Sequence, residues 1–149
     1  APNFEQSYYD RYIDQDRDRI AVVFNATYDL LLNSQAAIVT SGTATLETAL
    51  LKVPQVVVYK AAPLSIAIGR LVIKIQFISL VNLIMDKEVV KELIQQDCNA
   101  ETIGMELDAL LHAPVRREQM MADYEKLAEL VGEAGASERA AKLIQGYLQ

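Results

Sequence analysis

The chain has 149 residues, 52% of them hydrophobic, which is enough apolar material for one packed domain. Its formal net charge of −6 argues against nucleic acid as the main partner, since binding a phosphate backbone needs a basic face. The single cysteine, Cys98, and the single histidine, His112, exclude an internal disulfide framework and an ordinary Cys/His zinc site.

From Asn3 to Arg19 the chain is polar and charged, with no basic end followed by an apolar core, so nothing there directs export and a cytoplasmic location is expected. Phe4, Tyr8, Tyr9 and Tyr12 lie at mostly helical spacing and predict a helix that packs an aromatic edge on a core. Asp14-Gln15-Asp16 matches the Asp-x-Asp spacing of a metal site, but it sits among alternating acids and arginines and reads as solvated surface. The β-branched run 19–24 predicts a strand, and 25–34 a short helix capped by Asn25 or Thr27. A buried strand follows at 36–40, then a helix over 44–51 closed by Lys52-Val53-Pro54, then a strand at 55–59. Pro63 to Lys74 can form a helix opening near the proline. Beyond Asp86 the pattern becomes helical, at roughly 87–97, 100–112, 115–132 and 137–148. The whole predicts an α/β fold: a Rossmann-like parallel sheet with helices on both faces, the α/β core spanning 1–98 and a helical C-terminal region 99–149.

The break at Ser41-Gly42-Thr43 carries the chemistry. A strand-to-helix turn leaves free backbone N–H groups at the positive end of a helix, and glycine lets a ligand approach the backbone, so a phosphate suits it. Glu47 follows Thr43 by four residues and shares its helix face, where a carboxylate can accept hydrogen bonds from ribose hydroxyls. The chain has neither a Walker loop nor a G-x-G-x-x-G sequence. On these residues alone, a capped structural turn and a nucleotide diphosphate site both remain open.

Residues 60–85 contain Lys60, Arg70 and Lys74 and no acid, in an otherwise acidic chain. The two inner cations interrupt the run before the roughly 20 apolar residues a bilayer span requires. Such a segment either covers the sheet with two solvated cations or lies on an anionic membrane surface or a partner domain.

Ser41-Gly-Thr-Ala-Thr-Leu-Glu47, Pro54 before a strand ending at Tyr59-Lys60, Ile78-Ser-Leu-Val-Asn-Leu83 and Glu88-Val-Val-Lys-Glu-Leu-Ile-Gln95 occur in one order. As a set they resemble the C-terminal half of lipid-A-disaccharide synthase, an inverting GT-B-type glycosyltransferase. The resemblance implies transfer of 2,3-diacylglucosamine from UDP to 2,3-diacylglucosamine 1-phosphate, with no metal and no cofactor. It places Ser41, Gly42 and Thr43 on the donor pyrophosphate, Glu47 on the ribose, and Asn82 and Gln95 near the donor phosphates or sugar. The family usually shows Ser-Leu-Pro-Asn where this chain has Ser79-Leu80-Val81-Asn82, which is expected to loosen the backbone that positions Asn82. The family's Pro-Gly-Ser-Arg loop, which follows the first strand of this domain and supplies a cationic phosphate contact, would lie upstream of Ala1, and the acceptor site and the catalytic carboxylate in a missing N-terminal domain. The chain is then a donor-binding half, a fragment of a two-domain enzyme without turnover of its own. In that light, residues 60–85 would dock the enzyme on the inner membrane, with Ile66, Ile68, Leu71 and Ile75 toward the lipid. The alternatives are another UDP-sugar enzyme of the same fold, such as a UDP-N-acetylglucosamine 2-epimerase, and a non-catalytic nucleotide-binding or interaction module.

Overall fold

The computed structural model describes residues 4–61, 76–132 and 135–147. Among them a three-stranded sheet runs in the order β1 (Ala37–Thr40), β2 (Gln55–Tyr59), β3 (Lys91–Ile94), all parallel. The described residues also form seven α-helices: α1 (Gln6–Ile13), α2 (Thr27–Leu32), α3 (Thr43–Leu50), α4 (Leu80–Met85), α5 (Ala100–His112), α6 (Pro114–Val131) and α7 (Ala136–Tyr147). The expected α/β class, parallel sheet and helical C-terminal region are all present.

Consecutive side chains of a strand point to opposite faces, and Val56 and Val57 are both fully buried, so both faces of β2 are covered. Helix α3 packs on β1 and β2, and α5 on all three strands. Helix α6 packs against α3, α4 and α5, bringing Met120, Tyr124 and Leu127 into one core with Ala49, Val81, Val90, Leu93 and Leu110. Helix α3 ends in paired bonds from Val53 N–H to the Thr48 carbonyl and from Lys52 N–H to that of Ala49, with Lys52 left-handed at φ 59°. This closure of a helix by a left-handed residue explains why Lys52-Val53-Pro54 stops it.

Five expectations are corrected. The stretch 87–97 is not a helix: Lys91–Ile94 is β3, bonded to β2 in register. Residues 19–24 form no strand, because nothing among the described residues pairs with them and strands exist by pairing; Ile20, Val23 and Phe24 are exposed. The α1 aromatics do not enter the core. Phe4 stacks on Tyr8 with ring centroids 4.2 Å apart, and Tyr9 meets Phe24 edge-on at 5.8 Å, so they make an outer cluster of their own. Strand β1 is only partly buried, with Ile38 exposed, since it is an edge of the described sheet. Helix α2 has Ala26 at its N-cap, with no side-chain cap from Asn25 or Thr27. The expected helix at 63–74, with Ile66, Ile68, Leu71 and Ile75, lies outside the described residues.

Asp123 of α6 is buried, 2.7 Å from Lys87 Nζ and 3.6 Å from that of Lys126. Burial pushes its carboxyl upward, but hydrogen bonds from Lys87 and Gln119 and the charges of Lys87 and Lys126 outweigh burial and hold it below the usual range. A depressed carboxylate stabilises the fold above its unfolded pKa of about 3.9, and that contribution disappears as pH falls through the lower folded value. The urea midpoint of the chain is therefore expected to drop below about pH 4, with a shallower drop in Asp123→Asn.

Candidate functional site

In an open parallel sheet, ligands bind beyond the carboxyl ends of the strands. Ser41 leaves β1 there, Lys60 and Ala61 leave β2, and Gln95 leaves β3. Gly42 is the N-cap of α3, at φ 157° and ψ −164°, and no side chain caps the helix. A Cβ built on Gly42 would meet nothing within 4 Å, so the turn opens onto free space. Thr45 N–H and Oγ1 both return to the Gly42 carbonyl, at 3.2 and 2.8 Å. The N–H groups of Thr43 and Ala44 precede that first bond and belong to the orphan donors every helix start presents. Thr43 itself is exposed.

Glu47 is half-buried one turn further along α3. It lines a depression of about 550 Å³ together with Asn25, Ala26, Thr27, Tyr28 and Asp29 from the start of α2. The structure thus places Gly42, Thr43 and Glu47 on the first turns of one helix, and of the three Glu47 lines the concavity.

Ser41 is differently placed. Its N–H donates to the Val58 carbonyl at 3.0 Å and its hydroxyl donates to the Ile78 carbonyl at 2.8 Å, so both donors are engaged within the protein. Its part is to hold the turn.

Asn82, on α4, is fully buried. Its Nδ2 donates to the Val90 carbonyl at 2.9 Å and to Glu92 Oε1 at 2.8 Å, while its Oδ1 accepts the N–H groups of Val89 at 2.8 Å and Val90 at 3.0 Å. Every polar position of the amide is used in shaping the passage from α4 to β3. Val81, in place of the family's proline, is itself fully buried, and α4 starts in the ordinary way, with the Asn82 N–H donating to Ser79 Oγ at 3.3 Å. Four side-chain bonds thus fix Asn82 without the proline.

Gln95 adopts the left-handed region at φ 56°. Its Oε1 accepts the Ala61 N–H at 2.8 Å and its Nε2 donates to the Ala61 carbonyl at 3.0 Å, a two-point clamp on the chain just past β2. Sequence reasoning missed Glu92, whose carboxylate collects donors from Ile78, Ser79 and Asn82. It stood within the quoted Glu88–Gln95 segment, but reading that segment as a helix placed it on a surface.

Among the described residues no group of three or more His, Cys, Asp or Glu side chains could hold a metal. Cys98 packs half-buried against the core, and His112 is exposed, its Nδ1 2.9 Å from Asp108 Oδ1.

A parallel sheet flanked by helices, with an exposed glycine turn at its carboxyl edge, defines a Rossmann-like α/β domain. A family model described as lipid-A-disaccharide synthetase matches residues 3–145. A lipid-A-disaccharide synthase of Syntrophus aciditrophicus is 43% identical over 132 residues, 89% of this chain and 34% of that protein. One of Gloeothece citriformis is 43% identical over 122 residues, 80% of this chain and 32% of that protein, and one of Anaeromyxobacter dehalogenans is 34% identical over 150 residues, all of this chain and 39% of that protein. The chain belongs to the lipid-A-disaccharide synthetase family, and it spans about a third of the length of these relatives.

Proposed function

We propose that the chain is the donor-binding half of a glycosyltransferase that takes 2,3-diacylglucosamine from UDP and joins it to 2,3-diacylglucosamine 1-phosphate in lipid A biosynthesis. The observation that carries this reading is the open Gly42 turn with Glu47 one helical turn away, in a chain of this family. The pyrophosphate would be met by the backbone N–H groups of Thr43 and Ala44, with Thr43 Oγ1 beside them, and the ribose by Glu47. Ser41, Asn82 and Gln95 would act on the donor by fixing backbone, since their polar groups are bonded within the protein. In the transfer step these donors stabilise the charge gathering on the departing UDP, with dipoles that need no reorientation. The acceptor site and the base that takes the acceptor proton would belong to an N-terminal domain.

Both substrates are acylated, so the enzyme would work at the cytoplasmic surface of the inner membrane, and residues 60–85, with three cations and no acid, would provide the contact. No helix among the described residues is long and apolar enough to cross a membrane.

An amide NMR titration tests the reading. UDP, and not ADP, is expected to shift resonances between Gly42 and Glu47, and Glu47→Ala is expected to weaken UDP about tenfold, the value of a hydrogen bond to a charged group. Equal shifts with both nucleotides, or none in the full-length protein, would overturn it.

A further inference from the structure

Glu92 lies in the middle of β3, half-buried, opposite Val57 of β2. Its Oε2 accepts the Ile78 N–H at 2.9 Å. Its Oε1 accepts the Ser79 N–H at 2.9 Å, the Ser79 hydroxyl at 2.7 Å and Asn82 Nδ2 at 2.8 Å. Four donors converging on one side chain need an acceptor without protons, and an ionised carboxylate is that group. Hydrogen bonds to it are charge-assisted, roughly twice as strong as neutral ones. The carbonyl of the same Ile78 accepts the Ser41 hydroxyl. Ile78 is therefore held on its N–H side by β3 and on its C=O side by the residue preceding Gly42.

We propose that Glu92 is a positioning residue for the nucleotide turn: it fixes Ile78, and through Ile78 and Ser41 it sets where the N–H groups of Gly42, Thr43 and Ala44 point. This rests on the reading of that turn as the pyrophosphate site. Backbone donors cannot rotate to follow a ligand, so their effect on an anion depends on how closely the turn keeps its position. Ser41, whose donors are both engaged, and Glu92, which lies outside the turn, then serve one arrangement.

The test compares Glu92→Gln, Ser41→Ala and the double variant in the full-length protein, well below each unfolding temperature. Each single substitution is expected to weaken UDP binding about tenfold, and the double variant no further than the weaker single, because both act through Ile78. In ligand-free protein, Glu92→Gln is expected to move the amide resonances of Gly42 to Ala44, and to move them little once Ser41 is alanine. Additive losses overturn the proposal, as does a loss of stability with UDP affinity and those amides unchanged. If Glu92→Gln does not fold, Glu92→Asp, which keeps the carboxylate and shortens its reach, makes the same comparison. If the wild type does not bind UDP, the reading of the site fails, and the ligand-free amide shifts alone decide the positioning role.

Discussion

Asn82→Ala is expected to destabilise the chain by about 3 kcal/mol and to lower its melting temperature by about 10 °C. The side chain is fully buried and makes four hydrogen bonds, two of them to the N–H groups of Val89 and Val90. Alanine leaves those donors, the Val90 carbonyl and part of Glu92 without partners in a space closed to water, and each unsatisfied buried group costs about 1 to 3 kcal/mol before relaxation. Asn82→Asp separates the geometric contribution from the electrostatic one. It keeps an acceptor for Val89 and Val90 but sets a second carboxylate where Nδ2 lies 2.8 Å from Glu92. The aspartate variant is therefore expected to be as unstable as the alanine variant, because two like charges then face each other where a hydrogen bond stood. Urea unfolding of the three proteins at neutral pH checks both statements.

Tyr124→Ala is expected to cost about 4 kcal/mol, in the range for removing a buried aromatic ring. Tyr124 is almost wholly buried in α6, and its hydroxyl accepts a hydrogen bond from Gln55 Nε2 at 3.2 Å, while Gln55 also reaches the Thr45 carbonyl at 2.9 Å. One ring thus joins α6 to the start of β2 and to α3. Tyr124→Phe keeps the ring and leaves Gln55 its Thr45 partner, so its cost is expected near 1 kcal/mol. Burial pushes the phenol well above its ordinary pKa, although the hydrogen bonds with Gln55 pull the other way. A folded pKa above the unfolded value gives stability that is present below about pH 10 and is lost as pH rises beyond it, because the unfolded chain then ionises its tyrosine first. Wild type should lose stability above about pH 10 more steeply than Tyr124→Phe, which unfolding curves in that range would show.

Strands β1 and β2 were legible in the sequence because their β-branched runs are short, apolar and bounded by turn residues. Strand β3 was not. Val89-Val90-Lys91-Glu92-Leu93-Ile94 mixes apolar and charged residues at spacings that also suit a helix, and its strand state is settled by pairing with β2 and by Asn82, seven and eight residues back, bonding Val89 and Val90. The reverse error at 19–24 has the same origin, since a β-rich run that no described strand pairs with has no ladder to join. For the site, the glycine turn and Glu47 could be read locally, since four residues of helix relate them. The engagement of Ser41 could not, because its hydroxyl partner lies 37 residues away, nor could that of Glu92, whose partners lie 10 to 14 residues back, outside the stretch 87–97 that reads as a helix.

Ala61 and Ile78 are tied to a single strand and the residue that follows it, the first by the amide of Gln95 and the second by the carboxylate of Glu92. The fasteners belong to the scaffold and not to the sequence that runs between them. Both ends of that interval are thus fixed by side chains that lie after it in the chain. A substitution at Gln95 or Glu92 would be felt at a junction 34 or 14 residues earlier, so two positions in and just past β3 govern where a distant stretch of chain leaves the frame and rejoins it.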